Sequence, residues 1–357
     1  MMRMTVLASG SKGNSTVVSS SKTRILVDAG LSCRELMRRM VAAGEDPHSL
    51  DAIIITHEHA DHVAGLPVMA RKLNIPVYMT ESTHRAWVRQ VTPRKRLMSY
   101  AQWLEQRKAE MQQRDEELVQ LQTRAATGEL PDDHFFAASA EDTLPLEHIS
   151  SAALEREAYQ AGKLETAAAD DLCEDADSAP VRRNINENPS FLPKLEHFKA
   201  GSHLCIGDID VTPFTIPHDA ADPCGFVFEA EGVRIGFATD LGYVPPNVKL
   251  ALKRCDALLL ESNHDLEMLR DGPYPWSVKQ RVLSRVGHLS NTATAEFLTK
   301  DYDGGAAVVV LAHLSENNNH PEMALQAARE ALGGHPSLLG NRLLLARQDA
   351  PLESVRF

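Results

Sequence analysis

At 357 residues the chain is long enough for one large core or two domains, and 43% hydrophobic with 24% charged residues is an ordinary globular balance. No stretch approaches the roughly 18 apolar residues of a membrane span, and the five scattered cysteines (Cys33, Cys173, Cys205, Cys224, Cys255) include no C-x-x-C pair, which argues for reduced thiols against a disulfide framework or a zinc finger. The net charge of -12 is local, because residues 125 to 180 hold 14 Asp and Glu against 2 Lys and Arg, so acidity does not exclude a nucleic-acid partner.

The N-terminal "MMRMTVLASGSKGNS" reads as a first strand and turn rather than a secretion signal, which implies a cytoplasmic protein. Strands "STVVSS" and "TRILVDAG" follow, then a helix "SCRELMRRMVAAG" capped by Ser32. "LDAIIIT" is a buried strand by its β-branched density, "AGLPVMARKLN" a helix and "IPVYMT" a strand. Composition then changes: Ser99 to Arg124 is a charged helix, and 125 to about 195 is acidic, rich in Ala, Ser and Pro, and expected to be partly disordered. Residues 94–197 therefore read as an insertion in a regular fold made of 1–93 and 198–357. Regularity returns with "CIGDIDVTPFTIPHD", a strand pair ending at His218, and with the hairpin "GFVFEAEGVRIGFATD", turning at Glu231-Gly232 and ending at Asp240. The strand "CDALLLESNHD" carries Glu261 at its end, a helix follows "GHLSN", and the strand "AAVVVLAH" ends at His313. A last helix, "PEMALQAAREAL", starts at Asn319. No internal repeat is visible.

Polar, metal-capable residues keep appearing where an apolar strand stops. In "AIIITHEHADHVAGL" His57 and His59 lie two apart at the end of an extended segment, so their side chains can converge, while Asp61 and His62 lie at the turn into a helix. A His-rich surface loop or hydrogen-bonded core histidines would be the bland alternative. Two adjacent divalent cations explain the crowding better, because imidazole nitrogens and carboxylate oxygens suit zinc, manganese or iron and a cation offsets the burial of the acid.

"THEHADH", with strand-terminal His218, Asp240 and His313, resembles the metallo-β-lactamase superfamily, over about residues 4–93 and 198–345. The resemblance implies a four-layer αββα sandwich with two metals, zinc or manganese: His57, His59 and His218 on one, Asp61, His62 and His313 on the other, Asp240 bridging, and Asp28 supporting the ligands. His320 is an alternative to His313. "LASGSKGNSTVV", "LLLESNHD", "GHLSN" and "LAHLSENNNHP" further resemble the YycJ-like branch of single-domain nucleases, and the Glu261 and His288 pair resembles that of tRNase Z enzymes.

The implied activity is hydrolysis of a phosphodiester by water activated on a metal pair, with DNA favoured and 5′ to 3′ polarity following from the YycJ resemblance. Asp61, Glu261 and His288 are the catalytic candidates, His288 protonating the leaving 3′ oxygen or contacting the phosphate, unless it is an ordinary helix-start histidine. Two loops offer backbone N–H groups to phosphate, one with Lys12, Asn14 and Ser15, the other with Ser315 and Asn317. Both are equally ordinary turn and cap chemistry. No basic stripe interleaved with aromatics is visible. The alternative is a thioester or lactone hydrolase of the same fold, which has no need of His288 and Glu261. The insertion's helix is read as covering the active-site mouth, mediating self-association, or being a solvated appendage.

Overall fold

The computed structural model describes residues 1–92, 189–333 and 342–357, with scattered helical positions between 105 and 116. Internal contacts divide the chain into Met1–Thr92 with Arg183–Phe357 as one unit and Pro93–Arg182 as another. Apart from those scattered positions, the expected helix over 99–124 and the acidic stretch after it lie outside the described residues, as does Cys173. No helix among the described residues is long and apolar enough to cross a membrane, and Cys33, Cys205, Cys224 and Cys255 form no disulfide.

In the first unit, the described strands form two seven-stranded sheets. The first holds β1 (Arg3–Ala8), β2 (Ser15–Ser19), β3 (Arg24–Val27), β4 (Ala52–Ile54), β5 (Val77–Thr80) and β6 (Leu195–Phe198) in sequence order. The second holds β7 (Leu204–Ile206), β8 (Ile209–Thr215), β9 (Cys224–Ala230), β10 (Val233–Ala238), β11 (Ala257–Glu261), β12 (Val308–Ala312) and β13 (Arg342–Leu345), and β14 (Val355–Arg356) borders β1 in the first. Strands β6, β13 and β14 were not anticipated from the sequence; β6 falls in what read as insertion and pairs in parallel with β5.

Although no repeat is legible in the residues, the topology repeats. From β1 to β6 two antiparallel pairings are followed by three parallel ones, and β8 to β13 repeat that pattern. Asp28 after β3 and Asp240 after β10 thereby occupy equivalent places.

The sheets bury their inner faces against each other, with Met4, Val18, Ile25 and Ile54 among the residues meeting Phe226, Phe228, Ile235 and Val310. Helices cover both outer faces. On the first sheet, α1 (Cys33–Ala42), α3 (Leu66–Leu73) and α4 (Glu81–Val91) shield Leu26, Ile53 and Val77; α2 (Ala60–Val63) lies between them in sequence. On the second, α5 (Pro246–Ala251) and, beyond α6 (Leu266–Asp271) and α7 (Trp276–Val282), α8 (Asn291–Lys300) and α9 (Pro321–Gly333) shield Leu258, Val309 and Leu311. The architecture is the four-layer αββα sandwich. Burial on both faces explains why strands such as "VVVLA" are continuous apolar runs rather than alternating ones. The β9–β10 hairpin turns at Glu231 and Gly232, both with positive φ (54° and 77°), as a two-residue type I′ turn requires.

Helix α1 starts as expected, the Ser32 hydroxyl accepting the Glu35 N–H at 3.3 Å. It then clamps the chain ends, because the buried Arg39 donates to the carbonyls of Leu7 (3.1 Å) and Gln348 (2.7 Å) and, through Nε, to Glu35 (2.6 Å). Arg38 and then Arg39, against a burial effect of opposite sign, hold the Glu35 carboxyl down from 4.5 to about 2. A carboxyl lowered in the folded state contributes stability above its unfolded value, and that contribution fades as pH falls from about 4.5 towards 2. Between those limits the melting temperature of the native protein should fall more steeply than that of Glu35→Gln; parallel slopes in a thermal-melt series would show the clamp to be energetically silent.

Candidate metal centre

The strand ends build the centre. After β4 the chain continues through buried Ile55 and Thr56 to fully buried His57. His59 then occupies the N-cap of α2 without making a side-chain cap bond, which leaves its ring for the site, and Asp61 and His62 follow in the first turn. Asp28 and His313 come directly after a strand and Asp240 one residue further on, and all three have positive φ (59°, 57° and 61°), in the left-handed region. For a residue with a Cβ this costs roughly 1 kcal/mol each, and Asp and His tolerate it better than most. Three such residues at one place mark stored strain of the kind found at functional sites. A close approach adds to it: a Cβ on Gly30 would run into the Asp61 carbonyl and come within 2.5 Å of the Asn14 nitrogen.

Three imidazoles form a first group. The Thr56 hydroxyl donates to Asp28 (2.9 Å), so its oxygen accepts Nδ1–H of His57 (3.0 Å) and leaves Nε2 of that ring with a bare lone pair. His218 donates Nδ1–H to the Gly287 carbonyl (3.2 Å), which likewise frees its Nε2. Both freed nitrogens face Nδ1 of His59, at 3.0 and 3.2 Å. Four-coordinate zinc with bonds of about 2.0–2.1 Å has tetrahedral edges of about 3.3 Å, close to these separations.

The second group joins Asp61, His62 and His313. His62 Nε2 lies 3.5 Å from Asp61 Oδ2 and 3.5 Å from Asp240 Oδ2, and His313 Nε2 lies 3.6 Å from Asp61 Oδ2. His62 is oriented by donating Nδ1–H to Asp28 at 2.8 Å, the support expected of that aspartate. Asp240 Oδ2 and His313 Nε2 are buried and have no hydrogen-bond partner among the described residues. Buried polar atoms without partners are rare and call for a missing ligand. Asp240 also groups with His57 and His62, within 4.8 Å, which places it between the two sets. The donors fit a pair of divalent cations.

Burial, reinforced by the neighbouring imidazoles, lowers His57 well below its usual range and brings His59 to about 4; burial likewise lowers His218. The shifts favour neutral imidazoles, the form in which a ring nitrogen can bind a cation. For His62 and His313 burial acts in the same sense but is outweighed, by Asp28, Asp240 and Asp61 for His62 and chiefly by Asp240, Asp61 and Glu261 for His313, which rises to about 10. Asp61 is held well below the usual carboxylate range by His62 and His313 despite its own burial.

Beside the second group lies Glu261, fully buried. Its Oε1 accepts Nδ1–H of both His288 (2.8 Å) and His313 (2.9 Å), and its Oε2 accepts the backbone N–H of Leu241 (2.9 Å) and Leu289 (3.2 Å). The His288 ring is 5.1 Å from His218 of the first group and 5.1 Å from His313 of the second.

The side chains of the two expected phosphate loops are mostly engaged within the protein. Asn14 is buried, its amide exchanging hydrogen bonds with Gly10 and reaching Asp61 Oδ2 at 3.2 Å, so it positions a candidate ligand. Ser15 spends its hydroxyl on the Asp28 carbonyl (2.8 Å), and buried Ser315 accepts the Asn318 N–H (3.2 Å). Lys12 is exposed but paired with Glu316 (2.8 Å), and Asn317 is exposed. Asn319 does not cap α9: its amide donates to the carbonyls of Ser262 and Asn263, while His320 Nδ1 accepts the Glu322 N–H at 3.3 Å. His320 thus lies outside the centre and His313 inside it. Sequence reasoning missed Thr56, Gly30 and His264, the last buried with both ring nitrogens unpartnered among the described residues.

A family model described as the metallo-beta-lactamase superfamily matches residues 8–138, and one described as a beta-lactamase superfamily domain matches residues 148–314. The chain is 29% identical over 331 residues to an exodeoxyribonuclease YycJ of Bacillus anthracis, covering 93% of this chain and 89% of that one. It is 28% identical over 327 residues to an exodeoxyribonuclease WalJ of Streptococcus pneumoniae, covering 90% and 85%. Among solved structures it resembles the metallo-beta-lactamase fold protein YhfI of Bacillus subtilis, with a TM-score of 0.55 at 12% identity and 99% and 100% of the two chains covered.

Gly30→Ala adds a single methyl group under the Asp61 carbonyl. Elemental analysis of the purified variant is expected to show about one equivalent of metal less than the native protein holds, because Asp61 belongs to the group with His62 and His313. A full complement would show that the loop yields without disturbing the ligands.

Proposed function

The chain belongs to the metallo-β-lactamase superfamily of metal-dependent hydrolases, and from that premise we propose that it is a DNA exonuclease cutting phosphodiesters from the 5′ end. The observation that carries the reading is the placement of His288, equidistant from the two metal-holding groups and hydrogen-bonded to a buried carboxylate. His57, His59 and His218 would hold one cation and Asp61, His62 and His313 the other, with Asp240 between them; this nitrogen and oxygen set suits zinc or manganese. When bound, the pair supplies Lewis acidity and a water that ionises near neutral pH.

The chain's own residues account for the rest of the chemistry. Glu261, held well below the carboxylate range because His288 and His313 outweigh its burial, stays ionised and fixes Nδ1–H of His288. Nε2 of that ring is thereby left to exchange a proton with the departing 3′ oxygen. With its side chain 20% exposed, against 0% for His62 and 4% for His313, His288 is an imidazole that a substrate can reach. A leaving alkoxide needs such a proton, whereas a thioester's thiolate leaves without one.

The polymer reading draws on the two exodeoxyribonuclease relatives and on the surface beside His288. Residues 284–287 are tied to the strand ends, with the Asp219 N–H donating to the Val286 carbonyl (3.0 Å) and Gly242 lying against the Arg285 backbone. There the Arg285 guanidinium lies 4.5 Å over the Tyr243 ring. A cation over a flat ring beside a hydrolytic centre suits the phosphates and bases of a single strand. Tyr243 and Arg285 come from well-separated parts of the sequence, which is why no stripe was visible there.

Metal-loaded protein should release mononucleotides from the 5′ end of 5′-phosphorylated DNA in a panel with single- and double-stranded DNA, RNA and a thioester. Hydrolysis of the thioester alone would overturn the assignment. His288→Ala should lower kcat on DNA by about 100-fold or more with metal content unchanged; undiminished turnover would remove His288 from the chemistry.

A further inference from the structure

A second cluster of metal-capable side chains lies on the β7–β8 hairpin. Cys205 and Asp210 are direct partners across its ladder, and His203 precedes Cys205 by two residues. Because Ile206, Ile209 and Val211 turn into the core, the alternation of the strands sends His203, Cys205 and Asp210 to the solvent, and all three are exposed.

Their donor atoms converge. Asp210 Oδ1 lies 2.9 Å from Cys205 Sγ and 3.3 Å from His203 Nε2, with Sγ and Nε2 3.9 Å apart. A tetrahedral ion with a bond of about 2.3 Å to sulfur and about 2.0–2.1 Å to nitrogen and oxygen would set donor separations of about 3.3–3.6 Å. The observed distances bracket that range, so small side-chain adjustments suffice. The backbone frame is an antiparallel hairpin closed by Gly207 with φ 61°, which holds the three Cα positions in fixed register.

We propose that His203, Cys205 and Asp210 form a third metal site, separate from the paired centre, that takes a zinc-like divalent cation. One thiolate, one imidazole and one carboxylate are a three-ligand set typical of zinc, with the fourth position open to water. Glu229, the cross-strand neighbour of Asp210 on β9, is engaged by Arg234 at 2.6 Å and does not supply that fourth ligand. A bare redox thiol is the poorer reading, since the adjacent carboxylate opposes the free thiolate such chemistry needs. A cation reverses that opposition and gives the acid and the thiol a common partner. The site stands independently of the nuclease reading.

The test uses the full chain loaded with cobalt(II), whose thiolate complexes absorb through sulfur-to-metal charge transfer, together with elemental analysis of the zinc form. The native protein should show the charge-transfer band and hold about one equivalent of metal more than Cys205→Ser, in which the band should be absent. His203→Ala and Asp210→Asn should each weaken cobalt binding at that band by about tenfold or more. Cys173→Ser controls for the cysteine outside the described residues and should leave the band intact. All three ligand candidates are exposed, so the variants are expected to fold, which circular dichroism checks. A native protein without the band, or a band and metal content unchanged in Cys205→Ser, would overturn the proposal.

Discussion

Burying carboxylates and imidazoles together at the ends of apolar strands is an electrostatic cost around which this fold is arranged. Asp28, Glu261, His57 and His62 have essentially no contact with solvent, and an isolated ion in such a place would be strongly disfavoured. The chain offsets the cost by alternating signs. Asp28 faces His62, Asp240 lies 3.2 Å from His313, and Glu261 faces both His288 and His313. Asp240 Oδ2 and His313 Nε2 are among the buried atoms left without a partner among the described residues, and both belong to the groups where cations would complete the charge balance.

Topology explains why the groups meet. Each half of the first unit runs antiparallel strands into parallel ones, and the residues after the parallel strands gather at one end of each sheet. Asp28 and Asp240 follow corresponding strands of the two halves, with nearly equal φ. Their work differs: Asp28 accepts from Thr56 and His62 with both oxygens, whereas Asp240 keeps an oxygen unengaged. The difference lies in what surrounds each carboxylate. Thr56 and His62 crowd the first, and the gap between the metal-holding groups lies before the second.

This arrangement decides what the sequence could reveal. H-x-H-x-D-H behind "AIIIT" was legible because local spacing alone brings those side chains together, and the β-branched runs announced their strands. His218, Asp240 and His313 were legible as strand ends. The duplication was invisible because the two halves share pairing directions and not residues. The left-handed backbone at Asp28, Asp240 and His313 was invisible too, since Asp and His at a strand end fit an ordinary turn equally well. Strand β6 was hidden for a simpler reason: in "LEHF" only Phe198 is buried, so four residues show no apolar run.

The two turns expected to hold phosphate show what composition alone leaves open. Asn, Ser and Gly in a turn can offer hydrogen bonds outwards to a ligand or inwards to the backbone, and composition is the same in both cases. Here the metal-holding groups leave many strand-end carbonyls and one aspartate to be oriented, and the small side chains closest to them turn inwards: Asn14 to Gly10 and Asp61, Ser15 to the carbonyl of Asp28, Asn319 to those of Ser262 and Asn263. Other side chains beside the centre meet only through the fold: Arg285 lies over the ring of Tyr243, and because the two come from separate loops their positions form no motif in the sequence.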